Sequence, residues 1–434
     1  MDLPLSRKNS VLKPRTLHNI VVFKKILSLN SILVGGLIGA QSKIFKDREK
    51  LSPRYVPLIL PHREKQIESL YNSFREALAD PSRALLKIIQ IVGPAGSGKT
   101  SSVLRFGQRF EQDAAKLKRD IRHVYVNLKL QGGSRVVLYR YLLEAGAPEV
   151  YSSSLSAEEM LRVMLRQLRE RKRYLLISLD EIDYFIRSTK DTGVVYDLTR
   201  LNEIELGKPC NVLGVIFTAR SKDFQERLDR AELSTLGRIP IEFSSYTSIE
   251  IVDILADRVK EAFQQRVVSD EVLEYVADLT VSSPVNGDLR YALDLLLYSG
   301  NLAENQGAEQ ILPDHVRRVH GETHPSITEE DILNLPKKEH LIALLAVVKS
   351  LRNTRKTYTS MRDIRLNCGM ICEDMHLKPT EDLDDYLQDL HDRRIIEIRS
   401  LKEIGISGVP TENLGLFLDS LFNRLETGLN VRQS

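Results

Sequence analysis

The sequence predicts an α/β core built on a parallel sheet and carrying a P-loop, then an all-helical block, then a C-terminal winged helix-turn-helix. Three observations lead there. Short apolar runs alternate with helical patterns between about Leu51 and Phe243. The run Gly93-Pro94-Ala95-Gly96-Ser97-Gly98-Lys99-Thr100 fills a G-x-x-x-x-G-K-[ST] pattern at the junction of one such strand and its helix. The last hundred or so residues read as three helices followed by an alternating run and glycine turn signals.

In chain order, the first element is a basic tail over residues 1–44. Residues 1–50 hold ten lysines and arginines against three acids, so the whole chain's net +3 conceals a −4 balance beyond the tail. Such an arm can graze nucleic acid or an acidic surface. The run from Ile26 to Ala40 is membrane-like but is about 15 residues with three glycines, short of the ~20 needed to span a bilayer. No small-residue cleavage site marks a secretory leader. Three cysteines, Cys210, Cys368 and Cys372, cannot make a disulfide scaffold and suit a reducing compartment. The expectation is a cytoplasmic, nucleoid-associated protein with no membrane partner. Cys368, Cys372 and His376 share a helical spacing without a fourth ligand, and read as a helix face rather than a metal site.

The chain is too long for one core, because single cores stop growing near ~250–300 residues. Leu85–Val92, His123–Leu128, Tyr174–Leu179 and Val212–Thr218 are strand-like, and Ser101–Phe110 and Ala157–Arg171 carry the 3.6-residue period between them. Continuous apolar strands alternating with helices mark a parallel sheet covered on both faces. From Ser248 to about Val319 only the helical period remains, as in Ile251, Ile254, Leu255 and Val259. Gly321–Ser326 reads as a linker. Helical patterns over Glu339–Leu351, Ser360–His376 and Glu381–Asp392 then precede the alternating Ile396–Arg399, a candidate wing Leu401–Val409 and a last helix near Asn413–Leu425. The expected domains are 1–44, 45–245, 246–322 and 331–426.

The P-loop glycines let successive backbone N–H groups curl around phosphate oxygens at a helix N-terminus. Lys99 is placed to reach the β/γ-phosphates, and the Thr100 hydroxyl to ligate Mg²⁺. Such a site needs a second strand ending in carboxylates. Leu175–Leu179 followed by Asp180-Glu181 supplies it, with Asp180 in the Mg²⁺ shell and Glu181 orienting or deprotonating the attacking water. The cofactors expected are ATP/ADP and Mg²⁺.

These residues, with several more, resemble the archaeal replication initiators of origin-recognition-complex and cell-division-control type within the AAA+ class. The resemblance runs from about Phe45 to Leu425. It is carried by Phe45–Arg48, Leu51–Pro57 and Leu60–Glu64, by Tyr196–Glu203, and by Gly287–Asp294. It implies an AAA+ core with a helical lid, and an adenine pocket lined by the first segment, including Val56, Pro61, His62 and Arg63. Gly93 to Ser101 would hold the phosphates. Arg290 falls at the second sensor, where a fixed cationic fork can report on the γ-phosphate. The first-sensor asparagine of the family falls on Arg220, or on Thr218 if the register slips by two. Its trans-acting arginine falls on Ala231, with Arg230 and Arg238 nearby. Both departures point to slow hydrolysis and a nucleotide used as a switch.

The resemblance also implies partners: double-stranded origin DNA, a replicative helicase of MCM type and other initiator subunits. Asn127–Leu138 matches the start of the family's helical insertion, making Lys129, Gln131 and Arg135 DNA candidates. The wing contributes Lys402. The helix expected to enter the major groove carries Glu381, Asp382, Asp384, Asp385 and Asp389 outward, and carboxylates oppose the phosphate term that dominates DNA affinity. The leading expectation is an origin-binding initiator with weak ATPase activity. The alternative is an ADP-locked regulatory paralogue or partner of another initiator, using its winged helix mainly for protein contact.

Overall fold

A computed structural model of the chain describes residues 42–146, 148, 155–237, 239–325, 327–378 and 382–430. Most of the basic tail, the Ile26–Ala40 run, Arg238, Ser326 and Glu381 lie outside the described residues. Contacts divide the described chain into two units, Asp47–Tyr298 and Ser299 onward together with 42–46.

The first unit is built on a five-stranded sheet. Its strands are β1 (Lys87–Val92), β2 (Ile121–Asn127), β3 (Tyr174–Asp180), β4 (Val212–Ala219) and β5 (Ile241–Glu242), in the order β2-β3-β4-β1-β5. Every pairing is parallel. β4 is buried along all eight residues, as a central strand with both faces covered must be. β2, at the edge, alternates: Val124 and Val126 are buried, Tyr125 and Asn127 less so. One face of the sheet packs Phe74, Phe106 and Phe110, and the other packs Leu142, Met164, Phe185 and Phe217. The helix Ala157–Glu170 starts at a Ser156–Glu159 capping box and buries Met160, Leu161, Met164, Leu165 and Leu168, one apolar stripe at helical spacing. Register then sets the site: Ile91 pairs Thr218, and Leu179 pairs Phe217. The carboxyl ends of β1, β3 and β4 thus meet at one edge. β5 is too short for a pattern to reveal it. Helices Ser248–Ala262 and Asp270–Val281 follow, burying Ile251, Ile254 and Leu255 on the expected period.

In the second unit, helices Lys338–Thr354, Met361–Asp374 and Leu383–Asp392 precede a small antiparallel sheet. It runs β6-β8-β7, from β6 (Tyr358–Thr359), β7 (Glu397–Ser400) and β8 (Glu403–Gly405). This is a winged helix-turn-helix arrangement closed by the helix Thr411–Asn430. Its core gathers Leu344, Val348, Ile364, Leu387, Leu390, Ile404 and Leu418, and Cys368 and Cys372 face into it. The linker expected over Gly321–Ser326 starts later than expected, because the helix Pro313–Thr323 takes its first three residues. Arg317 on that helix is buried and donates from Nε to the Ile406 carbonyl and from Nη2 to those of Lys356 and Thr357. A Cβ added to Gly321 would stand 2.0 Å from the Gly408 carbonyl oxygen. Turn composition alone could not register that close packing.

Candidate functional site

β1 runs into the P-loop and the helix Lys99–Lys116 leaves it. Gly96 (φ 69°) and Gly98 (φ 86°) adopt left-handed backbone that side chains disfavour, and this lets the loop curl back. Lys99 is buried at the helix start, and its Nζ donates to the carbonyls of Gly93 (2.6 Å) and Pro94 (2.7 Å). Burial pulls its pKa down to about 8; the Asp180 charge opposes that, and Arg290 and Arg220 add to it.

Asp180, at the end of β3, is 3% exposed and accepts four hydrogen bonds. Thr100 Oγ1 (2.6 Å) and Tyr125 Oη (2.7 Å) donate to Oδ2. Thr218 Oγ1 (2.6 Å) and the Glu181 backbone N–H (2.9 Å) donate to Oδ1. Glu181 takes a left-handed backbone (φ 59°). Its Oε1 lies 3.4 Å from Arg220 Nη2, and its Oε2 is buried with no hydrogen-bond partner among the described residues. Of the two first-sensor candidates, Thr218 therefore touches Asp180 and Arg220 pairs with Glu181.

These groups open on a cleft of about 960 Å³. Val56, Pro61, Gly96, Ser97, Gly98, Lys99, Thr100, Ser101, Asp180, Glu181 and Arg290 line it. Apolar wall comes from Leu58, Ile59, Ile254, Leu289 and Leu293, with Tyr55 and Tyr246. Arg290 is the second residue of the helix Leu289–Asn305, its backbone N–H donating to Asp288 Oδ1 at 3.0 Å. Burial, reinforced by Asp288 and opposed by Arg290, pushes Asp294 on that helix up to about 6.

His62 and Arg63, expected in the adenine pocket, are not among the residues lining the cleft. Arg63 is 2% exposed, stacks 3.8 Å over the Tyr246 ring, and donates to the carbonyls of Ser97, His62 and Ser244. It braces the P-loop from behind. His62 turns toward Asp253 (3.0 Å) and Glu250 (3.8 Å). Tyr125 and Tyr246 were not anticipated. The period of two on β2 and β3 could have found the first, since Tyr125 pairs Ser178 and Asn127 pairs Asp180 on one face.

The candidate nucleic-acid residues fare unequally. Lys129 and Gln131 lie on the short helix Leu128–Gln131, capped by Asn127, with Leu130 between them 83% exposed. Lys129 Nζ sits 5.4 Å from the Tyr184 ring centroid, and Gln131 accepts from the Asn127 N–H. Arg135, 32% exposed, faces Asp197 (3.2 Å), Asp191 (3.7 Å) and Glu158 (3.9 Å), three carboxylates that offset its charge. Lys402 is exposed on the turn joining β7 and β8. On the helix Leu383–Asp392, Arg365 meets both oxygens of Asp384, and Asp389 meets Arg393 and the buried His340. Asp382 and Asp385 remain exposed there. Arg230 is exposed at the start of the helix Arg230–Thr235.

Comparison with known proteins agrees with this geometry. Residues 85–228 match the AAA domain, and residues 252–321 match the Cdc6 AAA+ ATPase-type lid domain. The chain is 30% identical over 376 residues to ORC1-type DNA replication protein 2 of Saccharolobus solfataricus, covering 86% of this chain and 88% of that protein. It is 32% identical over 336 residues to the ORC1-type DNA replication protein of Desulfurococcus amylolyticus, covering 76% and 82%. Among solved structures, Cdc6p from Pyrobaculum aerophilum superimposes with a TM-score of 0.73 at 27% identity, over 88% of this chain and 99% of that one. The Aeropyrum pernix ORC1 protein, solved in complex with DNA, gives 0.58 at 26% identity, over 88% and 100%.

Proposed function

This chain belongs to the ORC1-type DNA replication proteins, with an AAA+ ATPase domain and a Cdc6-type lid, and we propose that it is an ATP/ADP-switched initiator. In this reading it binds double-stranded origin DNA together with other initiator subunits, assists loading of an MCM-type replicative helicase, and acts in the nucleoid. Among the described residues no helix is long and apolar enough to cross a membrane. The proposed division is a basic tail over 1–44, a nucleotide core over 45–245, a lid over 246–322 and a DNA-binding winged helix over 331–426.

The observation that carries this reading is the convergence of Lys99, Thr100, Asp180, Glu181 and Arg290 on one cleft at the strand ends. Backbone N–H groups from Gly93 to Ser101 would cradle the phosphates, with the Lys99 ammonium on the terminal pair. Thr100 and Asp180 fit Mg²⁺: a hydroxyl and a carboxylate, hard oxygen donors already 2.6 Å apart. When bound, the ion supplies charge neutralisation at the phosphates. Glu181 would take the proton of the attacking water, and Arg290 would read the terminal phosphate from the lid.

Hydrolysis on this reading is weak, because the Glu181 carboxylate is engaged by Arg220. An arginine at this position cannot accept a hydrogen bond from the attacking water. The nucleotide then acts as a switch rather than a fuel. Arg230 and Arg238 remain the candidates to act in trans on a neighbouring subunit. DNA contacts would come from Lys129, Gln131 and Lys402. A second reading, an ADP-held regulatory partner with a protein-binding winged helix, is favoured by the exposed Asp382 and Asp385 on the helix that would enter the groove. Footprinting on origin DNA in ATP and in ADP separates the two. The initiator reading expects protection that changes with nucleotide, and no protection in either nucleotide would overturn it.

A further inference from the structure

Asp180 is over-supplied with donors, and the surplus points to a role for a tyrosine on β2. Its carboxylate has two oxygens with about four lone-pair directions between them. Thr100 and Tyr125 fill the two on Oδ2, and Thr218 and the Glu181 N–H fill the two on Oδ1. No acceptor direction on Oδ2 is left over, whereas on the Oδ1 side the single Thr218 hydroxyl proton also has the Leu179 carbonyl within 3.1 Å.

A divalent ion held by the Thr100 hydroxyl would meet Asp180 at Oδ2, the oxygen that Thr100 shares. Either the ion or a water of its shell then needs an Oδ2 lone pair. The donors differ in their freedom to yield one. The Glu181 N–H belongs to the main chain, and Thr218 stands on the fully buried β4 and serves the other oxygen. Thr100 stays, since it is the ion's own ligand. Tyr125 remains: a half-buried side chain on the edge strand, touching Asp180 only through its terminal hydroxyl.

We propose that Tyr125 is a positioning residue that competes with the divalent ion for Asp180 Oδ2, so that the hydroxyl withdraws as the ion binds and thereby sets the Mg²⁺ concentration the site requires. The inference rests on the reading of the cleft as a Mg²⁺–nucleotide site and extends it to a residue with no motif to mark it. Tyr125→Phe removes the competing donor and keeps the ring.

The test is equilibrium ADP binding to the full chain across a Mg²⁺ series, each protein normalised to its own affinity in EDTA. Removing one hydrogen bond to a charged acceptor should lower the half-effect Mg²⁺ concentration about tenfold in Tyr125→Phe. An unchanged or raised concentration overturns the proposal, a rise meaning that the hydroxyl holds Asp180 in place for the ion. Thr218→Val, which strips a donor from Oδ1, is expected to give no gain; an equal gain there overturns the assignment to Oδ2. A wild-type protein whose ADP affinity ignores Mg²⁺ altogether would instead overturn the metal-site reading itself. A second measurement needs no variant: Mg²⁺ added to the wild-type ADP complex should give a tyrosine difference absorbance, and its absence counts against withdrawal of the hydroxyl.

Discussion

The end of β3 and the helix Leu383–Asp392 both concentrate acidic side chains, and the contrast between them is instructive. At β3 one buried carboxylate, Asp180, is met by four donors drawn from two strands, a helix start and the residue that follows β3. On the winged-helix surface Asp384 and Asp389 each find a local arginine, while Asp382 and Asp385 stay in solvent. A buried charge must be satisfied from all sides, so the fold around Asp180 is committed to it. Exposed acids make no such demand, and the sign of their charge opposes nucleic-acid phosphate. The carboxylate of the cleft is thus fixed from all sides by the fold, whereas the acids of the helix Leu383–Asp392 are not.

The largest effect should come from breaking the cleft. Lys99→Ala removes the one buried ammonium from the phosphate site, and nucleotide affinity should fall about a hundredfold, the scale of a lost charge-assisted bond in a buried setting. Calorimetric titration with ATP checks it; unchanged affinity would remove the P-loop assignment. Glu181→Gln should still bind ATP with Mg²⁺ yet turn over at least ~10²-fold more slowly, as measured by phosphate release. Turnover at the wild-type rate would move the base elsewhere.

The Lys99 shift adds a pH dependence with a definite sign. Burial holds its pKa at about 8. Anionic phosphates favour the ammonium and raise that value in the complex, so binding takes up a proton above pH 8. Affinity should be level below about pH 8 and fall as pH rises beyond it, by up to about tenfold per unit. ADP titrations at pH 7, 8 and 9 test this, and a flat profile would refute it. Arg220→Asn frees Glu181 from its cation. The pair is half-exposed on the arginine side and worth little through solvent, so a gain in turnover of about fivefold is expected. A fall would give Arg220 a phosphate role of its own.

How much of this was legible in the sequence follows from distance along the chain. The P-loop and the Asp180–Glu181 pair sit within single strand–loop units, and local pattern was enough to find them. The three expected winged-helix helices were legible for the same reason. The internal partners of Arg63 and Arg135 were not legible because they are remote: Ser244 lies 181 positions from Arg63, and Asp197 lies 62 from Arg135. A resemblance assigns a residue to a segment, but only packing decides whether its charge faces the ligand or the core. Tyr125 lacked even a motif, and its role depends on the β2–β3 register.

On the winged-helix side of the comparison the effects should be smaller. If Lys402 holds a phosphate, Lys402→Ala should weaken binding alike on origin and random duplexes, lowering the salt slope by about 0.9. Arg135→Ala, by breaking an internal ion-pair network, should leave that slope unchanged. A slope change in Arg135→Ala would return the residue to the DNA interface.

The most direct test of an initiator that grips phosphates rather than reads bases is a salt titration of binding to origin and random duplexes, each in ATP and in ADP. The account predicts affinity that falls steeply with salt, a modest preference for the origin sequence, and a shift between the two nucleotides. A strong origin preference surviving high salt would show base reading that the acidic helix face should not permit, and identical curves in ATP and ADP would contradict the nucleotide switch.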